Sequence, residues 1–205
     1  MSFVFSTPRT LAVEDWRPVA YKEWQLVAEA MARGEQSVLL RKGGISEGKV
    51  GFQWLHRAFF LFPSRFHEQA EQVLSGPNGD MRPFEAPADP EGDVSFRYYT
   101  EIQNCGRITR WDEVTKLAPY HIWTEAIVRE RFEWGDEPGL AWATVRTWRL
   151  AQPWVLADRA TFGGCRSWFG LPADEAGGWR KALEGAEFVP SNCGEPDWLV
   201  GETTI

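Results

Sequence analysis

The sequence predicts an α+β fold: a single domain with a curved, mostly antiparallel sheet and flanking helices. Three observations lead there. Stretches with helical and strand periodicity do not alternate cleanly, as a doubly wound parallel sheet would require. Val94 to Ile102 sets Val94, Phe96 and Tyr98 against Ser95, Arg97 and Tyr99, the alternation of a half-buried strand. Gly139 to Leu150 is the best strand pattern in the chain, with Trp142, Thr144, Arg146 and Trp148 on one face.

The remaining elements follow in order. Residues 1–19 read as an irregular arm ending near Pro18. From Tyr21 to Arg33 the apolar Trp24, Val27, Ala28 and Met31 recur at helical spacing, and Gly34 is placed to stop the helix. Ser37 to Arg41 is a short strand with buried leucines, released into a turn by Gly43-Gly44. Phe59 to Phe62 is a second buried strand, closed by Pro63, and His67 to Leu74 suits a helix. Residues 76–93 hold four prolines, three glycines and five acids with little to bury, so they read as a surface loop or mobile linker. Asp112 to Leu117 is a short helix stopped before Pro119. Thr124 can cap a helix lined by Ile127, Val128 and Phe132. Residues 173–184 form a last helix. The expected organisation is an arm over 1–19, one domain over 20–172, and a helix with an acidic tail over 173–205.

Composition narrows the function classes. The formal charge of −7 is uneven: without residues 76–93 and 173–205, the body carries 19 bases against 17 acids. An acidic chain argues against broad, non-specific nucleic-acid binding, but a body of this balance can hold a local basic groove. Arginine supplies 17 of the 22 bases, and its planar fork suits phosphates and aromatic faces. Most of the twelve tryptophans and thirteen phenylalanines are core, with one or more available as stacking platforms. Cys105, Cys165 and Cys193 have no paired spacing, so neither a disulfide framework nor a zinc site is expected. The first six residues lack the basic and apolar regions of a signal peptide, and no run approaches the roughly 18 apolar residues of a membrane span. A cytoplasmic protein with no membrane partner and no cofactor is the expectation. Nothing specifies an oligomeric state.

Four separated stretches carry the polar chemistry. Arg41-Lys42-Gly43-Gly44 sets two bases beyond a strand end, before glycines free to take positive φ; it reads as an anion-binding nest or as a plain hairpin turn. Its spacing is not that of a P-loop. Gly163-Gly164-Cys165-Arg166-Ser167-Trp168 repeats the theme, and the two loops could grip one anion if folding brings them together. Cys165 is then either a small buried thiol on a tight turn or a nucleophile, which would need His67 or His121 within reach. His121, in His121-Ile122-Trp123-Thr124, is a candidate acid or base, or simply bonds a backbone carbonyl. Spacing does not support a metal site built from His56, His67 and His121. Arg129 and Arg131 read as a solvated helix face.

Taken together, several runs resemble a bacterial family catalogued as domain of unknown function 1802. They are Lys22-Glu23-Trp24, Leu39-Leu40-Arg41-Lys42-Gly43-Gly44-Ile45, Leu61-Phe62-Pro63 followed by His67, His121-Ile122-Trp123-Thr124, Arg131-Phe132-x-Trp134 and Gly163 to Trp168. The resemblance spans about residues 20–172, with Ser64 where the family has Thr and Glu68 where it has Gln. It implies no established activity. Some relatives are joined to a restriction-type endonuclease domain, which implies a partnership with such a nuclease on DNA. The run from Trp24 through Lys42 is also similar in outline to PUA-like and ASCH-like barrels, which bind nucleic acid or nucleotides. The leading reading is a binding module for nucleic acid, nucleotide or another phosphate-bearing ligand. In it Arg41, Lys42 and Arg166 contact phosphate, Gly43, Gly44, Gly163 and Gly164 admit it, and Trp123 or Trp168 stacks. The rivals are a hydrolase or transferase using His121 with Cys165, and a partner-binding subunit.

Overall fold

The two best strand patterns become the frame of the fold. In the computed structural model, which describes residues 7–42, 52–64, 71–74 and 91–199, they are β4 (Asp93–Ile108) and β5 (Leu140–Ala157). They pair antiparallel from Asp93 opposite Ala157 to Ile108 opposite Leu140, with irregularities between Phe96 and Tyr98 and between Ile102 and Asn104. Such bulges bend a long ladder and re-aim its side chains. Trp142 accordingly packs in one core and Trp148 in the other, so they do not serve the single face that simple alternation implies.

Five shorter strands complete one mixed sheet among the described residues. They are β1 (Val19–Trp24), β2 (Val38–Arg41), β3 (Ala58–Ser64), β6 (Trp168–Gly170) and β7 (Glu187–Val189). The strand order is β2-β5-β4-β3-β1-β6, with β7 on the side of β5. β1 and β3 run parallel and the other pairs are antiparallel. The fold is α+β, as expected. Helices α1 (Gln25–Ala32) and α3 (Glu125–Glu133) pack on the larger core with Tyr21, Leu39, Phe59 and Trp142. Helix α4 (Gly178–Leu183) packs on a second core with Phe60, Phe96, Trp148 and Trp154. Helix α2 (Trp111–Val114) continues as a 3₁₀ turn, Thr115–Tyr120, that contains Pro119 instead of ending before it.

Several boundaries differ from the sequence reading. Tyr21 to Trp24 is strand, not the first turn of a helix, because β3 and β6 flank it and satisfy its backbone. Pro63 does not close β3. It lies opposite Glu23, where β4, paired with β3 only at Ala58 to Phe60, needs no donor from it. The segment expected to be helical up to Leu74 instead ends extended, with Val73 bridging Trp123. The helix expected over 173–184 is confined to α4, because Ala176, Gly177 and Gly178 all take positive φ. The tail after it forms β7, and the Asn192 N–H then donates to the Gly34 carbonyl at 2.7 Å. Thr124 caps α3 as expected, accepting from the Ile127 N–H. Gly34 ends α1 at φ 74°. The Gly43-Gly44 turn, His67 with the start of its expected helix, and most of the acidic loop lie outside the described residues.

Candidate functional site

The site is organised by the six residues of β1, whose side chains alternate between the two faces of the sheet. Tyr21 and Glu23 project to one face and Lys22 to the other. On the first face the Tyr21 hydroxyl accepts from Arg41 Nε, and the Arg41 guanidinium lies 4.9 Å from the Tyr21 ring. Arg41 Nη2 also donates to the Lys22 carbonyl and stands 3.4 Å from Glu23 Oε2. Glu23 is fully buried, and its other oxygen accepts from the Trp24 N–H at 2.7 Å. Burial pushes the Tyr21 phenol up, against the opposing pull of Arg41.

α3 adds Arg131, whose guanidinium carbon is 4.5 Å from the Trp24 ring and 5.1 Å from the Trp123 ring. Burial, reinforced by the Arg41 charge and opposed by Glu23, brings the Arg131 pKa down to about 10. Beside it, His121 is buried with its ring 5.4 Å from that of Trp123. Burial and then the Arg131 charge hold His121 at about 4, against a weaker upward pull from backbone at Trp123 and at His121 itself. That imidazole is neutral at pH 7.

This neighbourhood has unspent hydrogen-bonding capacity. Among the described residues, the buried side-chain polar atoms with no hydrogen-bond partner are Glu23 Oε2, Trp54 Nε1, His121 Nδ1 and Nε2, Trp123 Nε1 and Arg131 Nη1. Trp54 joins the group through Tyr21, at 5.6 Å between ring centres. A buried polar group left unpaired costs about 1–3 kcal/mol, so one such concentration is a large local expense.

On the opposite face of β1, the Lys22 ammonium donates to the Gly164 carbonyl at 2.7 Å and sits about 5.5 Å from the rings of Phe62 and Phe169. The Lys22 N–H donates to the Ser167 carbonyl at 2.9 Å, and Tyr21 is in register with Trp168. Loop 163–167 is thereby laid along the strand. Partial burial and then the charge of Arg166 lower the Lys22 pKa, while Cys165 and Asp158 act the other way. Gly164 takes φ 78°, with open space where a Cβ would lie.

The two basic stretches therefore do converge, on β1, but from opposite faces. Arg41 reaches the Tyr21–Glu23 face, whereas Arg166 approaches Lys22. Lys42 turns elsewhere: its ammonium donates to the carbonyls of Phe132, at 3.2 Å, and of Glu137, beyond the end of α3. Trp168 packs on Tyr21, Phe59 and His56 and donates to the Gln53 carbonyl, and Trp123 is fully buried. Cys165 is exposed, not a buried thiol. No hydrogen bond joins His121 to Cys165, so these two residues form no imidazole–thiol pair. Gly43, Gly44 and His67 lie outside the described residues. Among those residues no three His, Cys, Asp or Glu side chains are grouped to hold a metal ion, and no helix is long and apolar enough to cross a membrane.

Sequence reasoning missed Tyr21, Lys22, Glu23, Trp54 and Arg131 as members of the site. Arg131 is half-buried, with its guanidinium over the Trp24 and Trp123 rings and Nη1 out of reach of solvent, while Arg129, two positions away, stays at the surface with Glu125 and Glu133. Glu23 was hidden by the reading of Tyr21 to Trp24 as helix. The signals were the Lys22-Glu23-Trp24 and Arg131-Phe132-x-Trp134 runs, which the structure brings together.

The sequence model of a family described as "Domain of unknown function (DUF1802)" matches residues 20–191. No curated protein matches the chain. Among solved structures, the chain is similar to ASCH from Zymomonas mobilis, at 13% identity and a TM-score of 0.48, covering 83% of this chain and 96% of that one. Two mutants of that protein give similar figures. One has 13% identity and a TM-score of 0.49 over 84% of this chain and 99% of its own. The other has 14% identity and a TM-score of 0.48 over 84% of this chain and 100% of its own.

Proposed function

We propose that this chain, which belongs to the DUF1802 family, is a binding module for nucleic acid, nucleotide or another phosphate-bearing ligand. The observation that carries the reading is the seating of the Lys22 ammonium on loop 163–167, at the open backbone of Gly164, where Arg166 adds a second positive charge. Holding two like charges together costs free energy, and an anion seated between them relieves the repulsion. Arg41 adds a third cation at the same strand, from the face where the tryptophans lie. Lys42 is left out of the contact set, because its ammonium reaches the Phe132 and Glu137 carbonyls at the end of α3 instead of β1 or loop 163–167.

The test is a titration with labelled single- and double-stranded DNA and RNA at two salt concentrations. Phosphate contacts make affinity fall steeply with salt, and Lys22→Ala and Arg166→Ala should each weaken binding and flatten that dependence. Absence of binding at low salt, or binding indifferent to both substitutions, overturns the reading.

A further inference from the structure

Among the described residues, the buried Glu23, Trp54, His121 and Trp123 and the half-buried Arg131 have six buried polar atoms with no hydrogen-bond partner in the protein. Their chemistry is complementary. Indole and guanidinium N–H groups can only donate, a carboxylate oxygen can only accept, and neutral imidazole offers one of each. Glu23 has one oxygen engaged by the Trp24 N–H, and its other oxygen, 3.4 Å from Arg41, makes no hydrogen bond. Buried groups in this state call for something that supplies their partners.

A phosphodiester alone does not fit, because it brings only acceptors and a negative charge that would face Glu23. What fits is a planar group with a ring N–H beside a carbonyl, able to lie among Trp24, Trp54 and Trp123. Guanine, uracil and thymine carry such a lactam edge. Adenine and cytosine have no ring N–H next to a carbonyl.

We propose that the cluster is a base-reading pocket for the lactam edge of one guanine, uracil or thymine in a single-stranded ligand. Glu23 accepts from the ring N–H, and Arg131 and Trp123 donate to the carbonyl. The proposal rests on the binding reading above, in which Lys22 and Arg166 hold the backbone on the other face of β1.

The experiment uses the full chain and short oligo-cytidine strands carrying A, C, G or U at the central position. Strands with G or U should bind about tenfold tighter than those with A or C, the discrimination expected of one well-made pair of hydrogen bonds to a base. Glu23→Gln removes the charge at constant shape, and Trp123→Phe removes the N–H while keeping a ring; each should level the preference in a protein that melts like the wild type. Arg166→Ala should weaken all four strands alike and keep the preference. Equal binding of all four strands, or a preference for A or C, overturns the inference while leaving the binding reading intact: the cluster would then be a polar pocket filled by water. Failure of every strand to bind at low salt overturns both.

Discussion

The backbone N–H of Arg9 donates to Glu101 Oε1 at 2.6 Å, pinning the N-terminal arm to the centre of β4. The Tyr99 hydroxyl donates to the same oxygen at 3.1 Å, and it in turn pairs with the Thr10 hydroxyl. Burial raises the Glu101 pKa above 4.5, although Tyr99 and the two backbone N–H groups pull it down. The folded chain thus keeps this proton more tightly than the unfolded chain. The contribution to stability is full below the ordinary carboxylate pKa and is lost as pH rises through the raised folded value. Relative to wild type, Glu101→Gln should gain stability as pH rises from 4.5 toward neutrality. Urea midpoints measured across that range check it, and a pH-independent gap between the two proteins would refute it.

His121 titrates with the opposite sign. Its folded pKa of about 4 lies below the ordinary 6.5, so the unfolded chain takes up this proton first. Stability from this group is complete above pH 6.5 and declines as pH falls toward 4, by at most on the order of 3 kcal/mol. His121→Gln should remove most of that acid decline. Thermal melts at neutral pH and near pH 4.5 would show it as a smaller drop in Tm for the variant.

Lys42 and Arg166, equivalent by sequence, should separate in experiment. Lys42→Ala removes the donor to the Phe132 and Glu137 carbonyls, so it should lower stability by about 1 kcal/mol and leave the salt dependence of ligand binding unchanged. Arg166→Ala should do the reverse, reducing the slope of log affinity against log salt by about 0.7–0.9 for each phosphate no longer neutralised. Parallel denaturation and binding titrations distinguish the two.

How much of this was legible beforehand depended on whether a residue's role was local. Thr124 capping α3 and Gly34 ending α1 are events within one turn, and the sequence pattern places both. The strands β4 and β5 were visible from their alternation, and β2 and β3 from their short apolar runs. β1 was not, because Trp24 shares the helical spacing of Val27, Ala28 and Met31, and only the neighbours β3 and β6 make its segment a strand. Arg131 failed for a related reason. It was read with Arg129, although residues two positions apart on a helix point to opposite sides, and what covers its guanidinium is a pair of tryptophans brought from β1 and from the segment before α3. The convergence of Arg41 and loop 163–167 on β1 was conditional in the sequence, since it depends on the strand order.

Gly34 offers a test of the contact between α1 and the tail. It holds φ 74°, and a Cβ there would come within 2.2 Å of the Pro190 carbonyl oxygen. Gly34→Ala should therefore cost more than the roughly 1–2 kcal/mol of a left-handed non-glycine residue alone. It should also loosen the chain around Asn192, which bonds to the Gly34 carbonyl. A lower Tm with faster proteolysis within residues 186–199 is the expected result. An unchanged digestion pattern would show that the other contacts hold the tail, among them the pairing of β7 with β5 and the bond from the Ser37 hydroxyl to the Gly194 carbonyl.

The placement of Arg41 has a mechanical consequence. β2 begins the strand order and β1 stands fifth, so no ladder joins them, yet Arg41 on β2 bonds to the hydroxyl of Tyr21 and the carbonyl of Lys22 on β1. The sheet is curled until these two strands face one another, and a single guanidinium laces the gap. Parting such a seam breaks side-chain contacts and leaves every β-ladder whole. Trp54 packs on that same Tyr21 ring, and Arg131 lies against Trp24 and Trp123, so the buried polar atoms without protein partners stand beside the part of the scaffold that can open with its ladders intact.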